Sequence, residues 1–445
     1  MRAFSLQAHA AGWFMAAMLI AACPVARAEL PAQIPVPAMG ESKLVFDSNP
    51  AYINDHTMVQ AQDGTWHMIG ITHDKVLDGK LPVPNQEDEF AHASAPNLFG
   101  PWTALPHVLK VDLRLLETHV WAPHIVFNDG LYYCFYAGGG GHWTSMINLA
   151  TSPDLMSWTR HPADPLFRGF YDARDPMVLR LADQWVMYYT KTYSATEWYS
   201  AVAYRLSPDL IHWGDPQFAI VLKTLPIRVP NSGQTESPFV VPYNGLYYLF
   251  VCTPDLGYRV TVVYVSDDPL HFEEKNEVAT LVAHCAEVVR DGDKYYLSHA
   301  GWFFDGVYLA PLAWKEARRF SPGFLFADSG DNDDYLASAP GSRAVARGLY
   351  QALRAGAGQA IEYVFQVPAG VTGVNLAFEE SGACRALAGG KVVLDDGGQA
   401  GEPEVHAIDV ADSSPWKDGE LRVRFEDAGS GEERLAVSWV KIYFR

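Results

Sequence analysis

Three carboxylates and a histidine recur at matching places in the chain. Counting back four residues from Val59, Val126, Leu179, Val240 and Val288 reaches Asp55, Ala122, Asp175, Glu236 and His284. Each apolar position sits in a segment that reads as a strand. The acids are 120 and 61 residues apart, yet in a pseudo-symmetric fold equivalent strand positions converge on one ring. Acids at strand starts that would otherwise be apolar are costly unless they are hydrated, paired or used. Clustered carboxylates also push their pKa values apart, giving one acid and one base near neutrality. Glycosidic bond hydrolysis needs that pair, an acid to protonate the leaving oxygen and a carboxylate to activate water or attack the sugar. Two other uses stay open at this point. The acids could hold a structural cation or cap backbone amides, or they could bind a ligand without chemistry.

The elements that must position these residues form a repeat. A two-strand unit occurs five times, at Asp55–Ile71, Ala122–Gly138, Asp175–Lys191, Glu236–Thr253 and His284–Gly301. Four copies turn on Asp-Gly or Asn-Gly (63–64, 129–130, 244–245, 291–292), a hairpin signal, and only the third lacks the glycine. A second motif follows each hairpin. Ser152-Pro153-Asp154-Leu155 leads to Trp158 and Ser207-Pro208-Asp209-Leu210 to Trp213, with looser copies ending at Trp102, Phe272 and Trp314. Five four-strand units of roughly 55 residues predict an all-β fold with a five-bladed β-propeller over 45–318. Residues 29–44 read as an N-terminal segment and 319–334 as a linker. Residues 335–445, with short alternating runs between turn clusters, predict a C-terminal β-sandwich of jelly-roll type.

Composition narrows the function classes. A formal charge of −19 argues against a nucleic-acid partner. With 49% apolar and 19% charged residues, a large core is expected rather than disorder. No long apolar run follows the N-terminal segment, so no membrane span is expected. Residues 1–28, with Arg2, an apolar run and Ala26-Arg27-Ala28, read as a signal peptide for export to the periplasm or the exterior. Ile20-Ala21-Ala22-Cys23 offers lipidation at Cys23 as the alternative. Cys134, Cys252, Cys285 and Cys384 have no C-x-x-C spacing and read as buried thiols. The acidic stretch 328–334 could bind calcium but lacks an EF-hand pattern. Trp121 adjoins the ring and could stack on a sugar, while the glycine-rich 138–141 loop could carry His142 and Trp143 over the mouth. Trp158, Trp213 and Trp302 read as blade packing, and His67 and His73 as satisfied polar residues. Phosphate-loop and G-x-S-x-G motifs are both missing from the sequence.

Around the ring the chain resembles the five-bladed furanosidase superfamily, above all glycoside hydrolase family 43. Trp121-Ala122-Pro123-His124 before NDGLYYCFYAG is similar to the family's second-blade signature. Arg174-Asp175-Pro176 is similar to the D-P of family 43 and the R-D-P of family 32, and Thr235-Glu236-Ser237-Pro238 stands where they carry E-G-P and E-C-P. The resemblance implies hydrolysis of O-glycosidic bonds in arabino-, xylo- or fructo-oligosaccharides. Asp55 would be base or nucleophile and Glu236 the general acid. Asp175 would bind sugar hydroxyls and raise the pKa of the acid. Arg174, and Asn54 beside Asp55, would contact substrate. No cofactor is required by the resemblance, and His284 matches a histidine that in some members helps hold a metal ion, such as calcium, in the channel. Family 43 implies inversion and family 32 retention. A non-catalytic sugar-binding propeller and a phosphorylase are the rival readings. The first blade, Asn54-Asp55-His56, and Ser237 depart from the family patterns.

Overall fold

The sequence folds, in a computed structural model, into antiparallel sheets built from hairpins. The structure describes residues 29–49, 51–74, 87–139, 144–169, 172–193, 199–226, 235–253, 259–301, 305–319, 324–328, 343–347, 350–354, 360–367, 369–381, 383–396, 404–410, 420–428 and 435–445. Residues 1–28, read above as a signal peptide with Cys23, and His142, Trp143 and Trp302 lie outside them. Asp129 and Gly130 take φ of 49° and 84°, and Asn244 and Gly245 of 49° and 78°. Positive φ at both central residues is what a two-residue hairpin turn demands, and Asn-Gly or Asp-Gly supplies it cheaply. In the third copy Ala182 adopts φ 43° without a glycine.

The first sheet orders Ala51–Gln60, Trp66–Asp74, Glu89–Ala95 and Thr103–Val108. The second runs Trp121–Asn128, Leu131–Gly139, Ser145–Ser152, then the short Thr159–Arg160 and Phe167–Arg168. The third runs Arg174–Leu181, Gln184–Tyr193, Tyr199–Ser207 and Gln217–Pro226, and the fourth Glu236–Tyr243, Leu246–Cys252, Val260–Ser266 and Glu277–Val282. The first strands of successive sheets contact one another, and the fifth, His284–Asp291, returns to Ala51–Gln60, closing a cycle. This is a propeller arrangement with the repeat's first strands lining the axis.

The fifth sheet adds Lys294–Ala300 and Gly306–Arg318, and its outer strands come from the chain start: Gln33–Met39 and Lys43–Asp47 both pair with Gly306–Arg318. The first end of the domain is thus hydrogen-bonded to its last sheet. Pro35 and Pro37 hid this strand in the sequence, and an outermost strand is where proline is tolerated, because one row of N–H groups needs no partner.

The S-P-D-L-x-x-W motif is a turn. Asp154 Oδ1 accepts the Met156 and Ser157 amides at 2.9 and 2.8 Å, Leu155 takes φ 63°, and Trp158 Nε1 donates to the Leu155 carbonyl at 3.0 Å. Asp209, Leu210 and Trp213 repeat the arrangement. The recurring tryptophans are therefore spent on packing and on locking turns.

Beyond residue 319 two further sheets share a core of Ile361, Tyr363, Phe365, Leu376, Phe378, Phe425 and Ile442. Phe324–Asp328, expected in the linker, instead forms a strand against Ala436–Phe444. The same long strand docks on the outermost strand of the fourth sheet through buried Lys441, whose Nζ is 2.6 Å from Glu277 Oε1, with Tyr443 and Thr280 beside it. This contact lies at the rim of the propeller, away from the axis.

Candidate active site

Each axial strand breaks register once, near its start. Pairing skips two residues between Ile53 and His56, Trp121 and His124, Arg174 and Met177, Glu236 and Phe239, and His284 and Glu287. In four of the strands the first skipped residue has positive φ: Ala122 44°, Asp175 56°, Ser237 47° and Cys285 44°. In three the second is proline (Pro123, Pro176, Pro238), which has no N–H to lose from the ladder. Such bulges re-aim side chains, and non-glycine residues at positive φ store backbone strain.

These bulges correct the single ring expected from the sequence. Glu236 and His284 precede the skipped pair, Asp175 is its first member and Asp55 its second. Counting assumed a regular ladder. The three acids nonetheless converge. Ser237 Oγ donates to Asp55 Oδ1, and the Ser237 amide donates to Asp175 Oδ2 at 3.1 Å. Arg174 Nη1 lies 2.6 Å from Asp175 Oδ2 and Nη2 3.3 Å from Glu236 Oε1. Its Nε faces Asp172 at 3.4 Å, and Thr190 Oγ1 donates to Asp175 at 3.3 Å.

The electrostatics follow from this packing. Burial, then the Asp175 carboxylate, pushes Asp55 up to about 7 against the pull of the Ser237 hydroxyl and Arg174. Burial pushes Glu236 up to about 8, with Arg174 opposing and Asp175 and Asp55 adding to the rise. At pH 7 Asp55 is thus about half ionised and Glu236 largely protonated, and midway between the two values each group is mostly in its working form. One can take a proton and the other can give one.

The remaining candidates divide. Arg174 is buried and its donors go to protein groups, including the Thr235 carbonyl at 3.4 Å, so it acts as a clamp across the third and fourth sheets. Trp121 donates Nε1 to Glu87, which also accepts from the Tyr52 hydroxyl, and one face of its indole is stacked on His119 at 3.6 Å. Asn54 is buried with its amide oxygen 3.8 Å from Cys285 Sγ. His284 is buried, with Nδ1 3.3 Å from Cys252 Sγ.

Sequence reasoning missed several neighbours. Ser237 was visible only as a departure from a motif, and its hydroxyl is what binds Asp55. Glu287, 3.5 Å from the buried His124, lines the small axial cavity together with His56, Met177 and Phe239. Cys252 pairs across strands with Glu236, a relation visible only once the hairpin register is known.

A calcium ion at His284 would need six to eight oxygen ligands. Around this histidine the described residues converge as Asp55 with Cys285, and Glu236 with Cys252. Two thiols, an imidazole and two carboxylates do not fit that demand, and no step below passes through calcium.

The family model for glycosyl hydrolases family 43 matches residues 93–287, a stretch that holds Asp175, Glu236 and His284 and begins after Asp55. Arabinan endo-1,5-alpha-L-arabinosidase A of Aspergillus aculeatus is 38% identical over 101 residues, 20% of this chain and 31% of that protein. The Aspergillus niger arabinan endo-1,5-alpha-L-arabinosidase A is 32% identical over 134 residues, 27% and 41% of the two chains. The chain thus spans well under half the length of these two relatives. A probable arabinan endo-1,5-alpha-L-arabinosidase C of Aspergillus flavus is 26% identical over 266 residues, 53% of this chain and 80% of that one. Among solved structures, a family 43 enzyme from Xanthomonas citri complexed with xylose aligns over 64% of this chain and 94% of its own, at 17% identity and TM-score 0.49. The propeller described above is defined by its own strand pairings. The match to the family 43 model covers residues 93–287, less than half of the chain, and takes in the Trp121, Arg174 and Thr235 motifs that resemble this family.

Proposed function

We propose that the protein is an exported glycosidase that hydrolyses O-glycosidic bonds in arabinose-containing chains, with the five sheets acting as a five-bladed catalytic propeller. The observation that carries the reading is the convergence of Asp55 and Glu236, raised to about 7 and about 8, around one arginine clamp. The arabinanase names of the relatives support arabinan as the first substrate class to try.

In this reading Glu236 gives its proton to the leaving glycosidic oxygen. Asp55 takes a proton from the water that attacks the anomeric carbon from the opposite side, so the configuration inverts. Asp175, fixed by Arg174, Thr190 and the Ser237 amide, keeps a negative charge near both groups. That charge sustains the raised pKa of each and offers an acceptor to sugar hydroxyls. Arg174 limits the rise at Glu236, so the acid still releases its proton near neutrality. The indole of Trp121, held by Glu87 and stacked on one face by His119, offers its other face to a sugar. The C-terminal sheets form a sandwich that braces the propeller through Lys441 and Glu277, and residues 1–28 direct export.

The test is a panel of linear arabinan, arabino- and xylo-oligosaccharides and aryl furanosides, incubated with wild type, Asp55→Ala and Glu236→Gln. Hydrolysis of one sugar class that both substitutions abolish is the expected result. Binding without turnover, unchanged in both variants, would make the protein a sugar-binding propeller instead.

A further inference from the structure

Beside the acid, the axial strands bring together soft metal ligands. Cys252 Sγ is 3.3 Å from His284 Nδ1, and Cys252 is the direct cross-strand partner of Glu236. Ligand atoms of Glu236, Cys252 and His284 all lie within 4.8 Å of one another. Neither Cys252 nor Cys285 is in a disulfide. Thiolate and imidazole select zinc and similar cations rather than calcium or magnesium. Zinc–sulfur and zinc–nitrogen bonds of about 2.3 and 2.05 Å at a tetrahedral angle put the two ligand atoms about 3.5 Å apart. The observed 3.3 Å is close to that separation without any strand moving. Cys252 and His284 are buried, while Glu236 is partly exposed, so two ligands are fixed and the third faces the mouth.

We propose that Glu236, Cys252 and His284 form a three-ligand site for a thiophilic divalent cation such as zinc, with its fourth position toward the mouth, and that filling it switches the hydrolase off. The switching half rests on the glycosidase reading above. On binding, the Cys252 S–H bond and the Glu236 O–H bond break, metal–sulfur and metal–oxygen bonds form, and both protons pass to solvent. No oxidant or reductant is involved. The carboxyl that would protonate the leaving oxygen is then a metal ligand with no proton to give. Cys285 is the weaker candidate for the thiol, because its sulfur is turned toward Asn54 Oδ1 at 3.8 Å.

The experiment treats the full-length protein with chelator, then titrates it with cobalt(II), zinc and calcium while following absorbance and arabinan hydrolysis. Cobalt should give a thiolate-to-metal charge-transfer band that saturates at one equivalent. Zinc should bleach that band and lower hydrolysis at least tenfold, whereas calcium should do neither. Cys252→Ser and Cys252→Ala should both lose the band and tolerate at least tenfold more zinc, and Cys285→Ser should keep the band. Lack of a band in wild type, its survival in both Cys252 variants, or its displacement by calcium would overturn the site. A band in a protein that hydrolyses nothing would refute the glycosidase reading and leave the site standing.

Discussion

Ser237→Ala isolates one hydrogen bond in the site. The hydroxyl donates to Asp55 Oδ1 and holds the pKa of that acid down against burial and Asp175. A hydrogen bond to a charged group contributes about 1.5–3 kcal/mol, which is about one to two pKa units. Taking the lower figure, Asp55 moves from about 7 to about 8 and meets Glu236, also at about 8. Activity needs Asp55 ionised and Glu236 protonated, so kcat/KM follows a bell whose limbs belong to the pair. In wild type about 60% of molecules are correctly protonated at the top of the bell, and in the variant about 25%. At pH 6 the variant falls about tenfold below wild type, at the optimum about twofold, and at pH 9 the two nearly coincide. The assay is initial-rate kcat/KM on an arabino-oligosaccharide from pH 5 to 10. The Ser237 amide bond to Asp175 and the positive φ at this position are untouched by the change. A loss of equal size at every pH, or an acid limb that stays put, would refute the reasoning, since damage to packing has no reason to depend on the ionisation of Asp55.

Further outcomes follow from the same charges. Glu236 is raised from 4.5 to about 8, so the folded state holds its proton more tightly than the unfolded state does, and stability drains away as pH climbs from about 4.5 to about 8. Glu236→Gln should therefore melt progressively higher than wild type across that window, with no further gain above it; a Tm difference independent of pH would contradict the assignment. Arg174→Met removes the cation that opposes the rise at Glu236 and takes one salt-bridge partner from each of buried Asp172 and Asp175. The alkaline limb of kcat/KM should move up, and denaturant unfolding should show a loss of about 3–5 kcal/mol, the usual cost of breaking a buried pair from one side. Glu277→Gln removes the charge that faces Lys441 at the rim and should lower Tm while leaving kcat/KM of the folded protein within about twofold, because the contact lies far from the axis.

The parts of this protein that a sequence discloses are those with local chemistry. Asp129-Gly130 and Asn244-Gly245 announce hairpins because few other residue pairs take positive φ twice. Asp154 and Asp209 announce turns because their carboxylates cap the following amides. The acids stood out because a carboxylate at the start of a buried strand demands a reason. What stayed hidden depends on register. One skipped pair in each axial strand moves Asp55, Asp175 and Glu236 to three different places, and no residue pattern in Asn54-Asp55-His56 marks the skip, since the proline found at Pro123, Pro176 and Pro238 is missing there. The strand Gln33–Met39 was hidden by Pro35 and Pro37, and Phe324–Asp328 by its acidic flank, because both are completed by partners far along the chain. Arg174 looked like a substrate contact from its motif, whereas its surroundings make it the counter-charge for three acids.

The assignment of acid and base is tested most directly by leaving-group dependence. Wild type, Glu236→Ala and Asp55→Ala are compared on an arabino-oligosaccharide and on a dinitrophenyl arabinofuranoside, whose leaving group departs without a proton. Glu236→Ala should lose about 10²- to 10⁴-fold on the oligosaccharide but stay within about tenfold of wild type on the aryl substrate, whereas Asp55→Ala should lose heavily on both. Equal losses of the two variants on both substrates, or a Glu236 variant that fails on the aryl furanoside as badly as on the oligosaccharide, would contradict the roles given to Asp55 and Glu236.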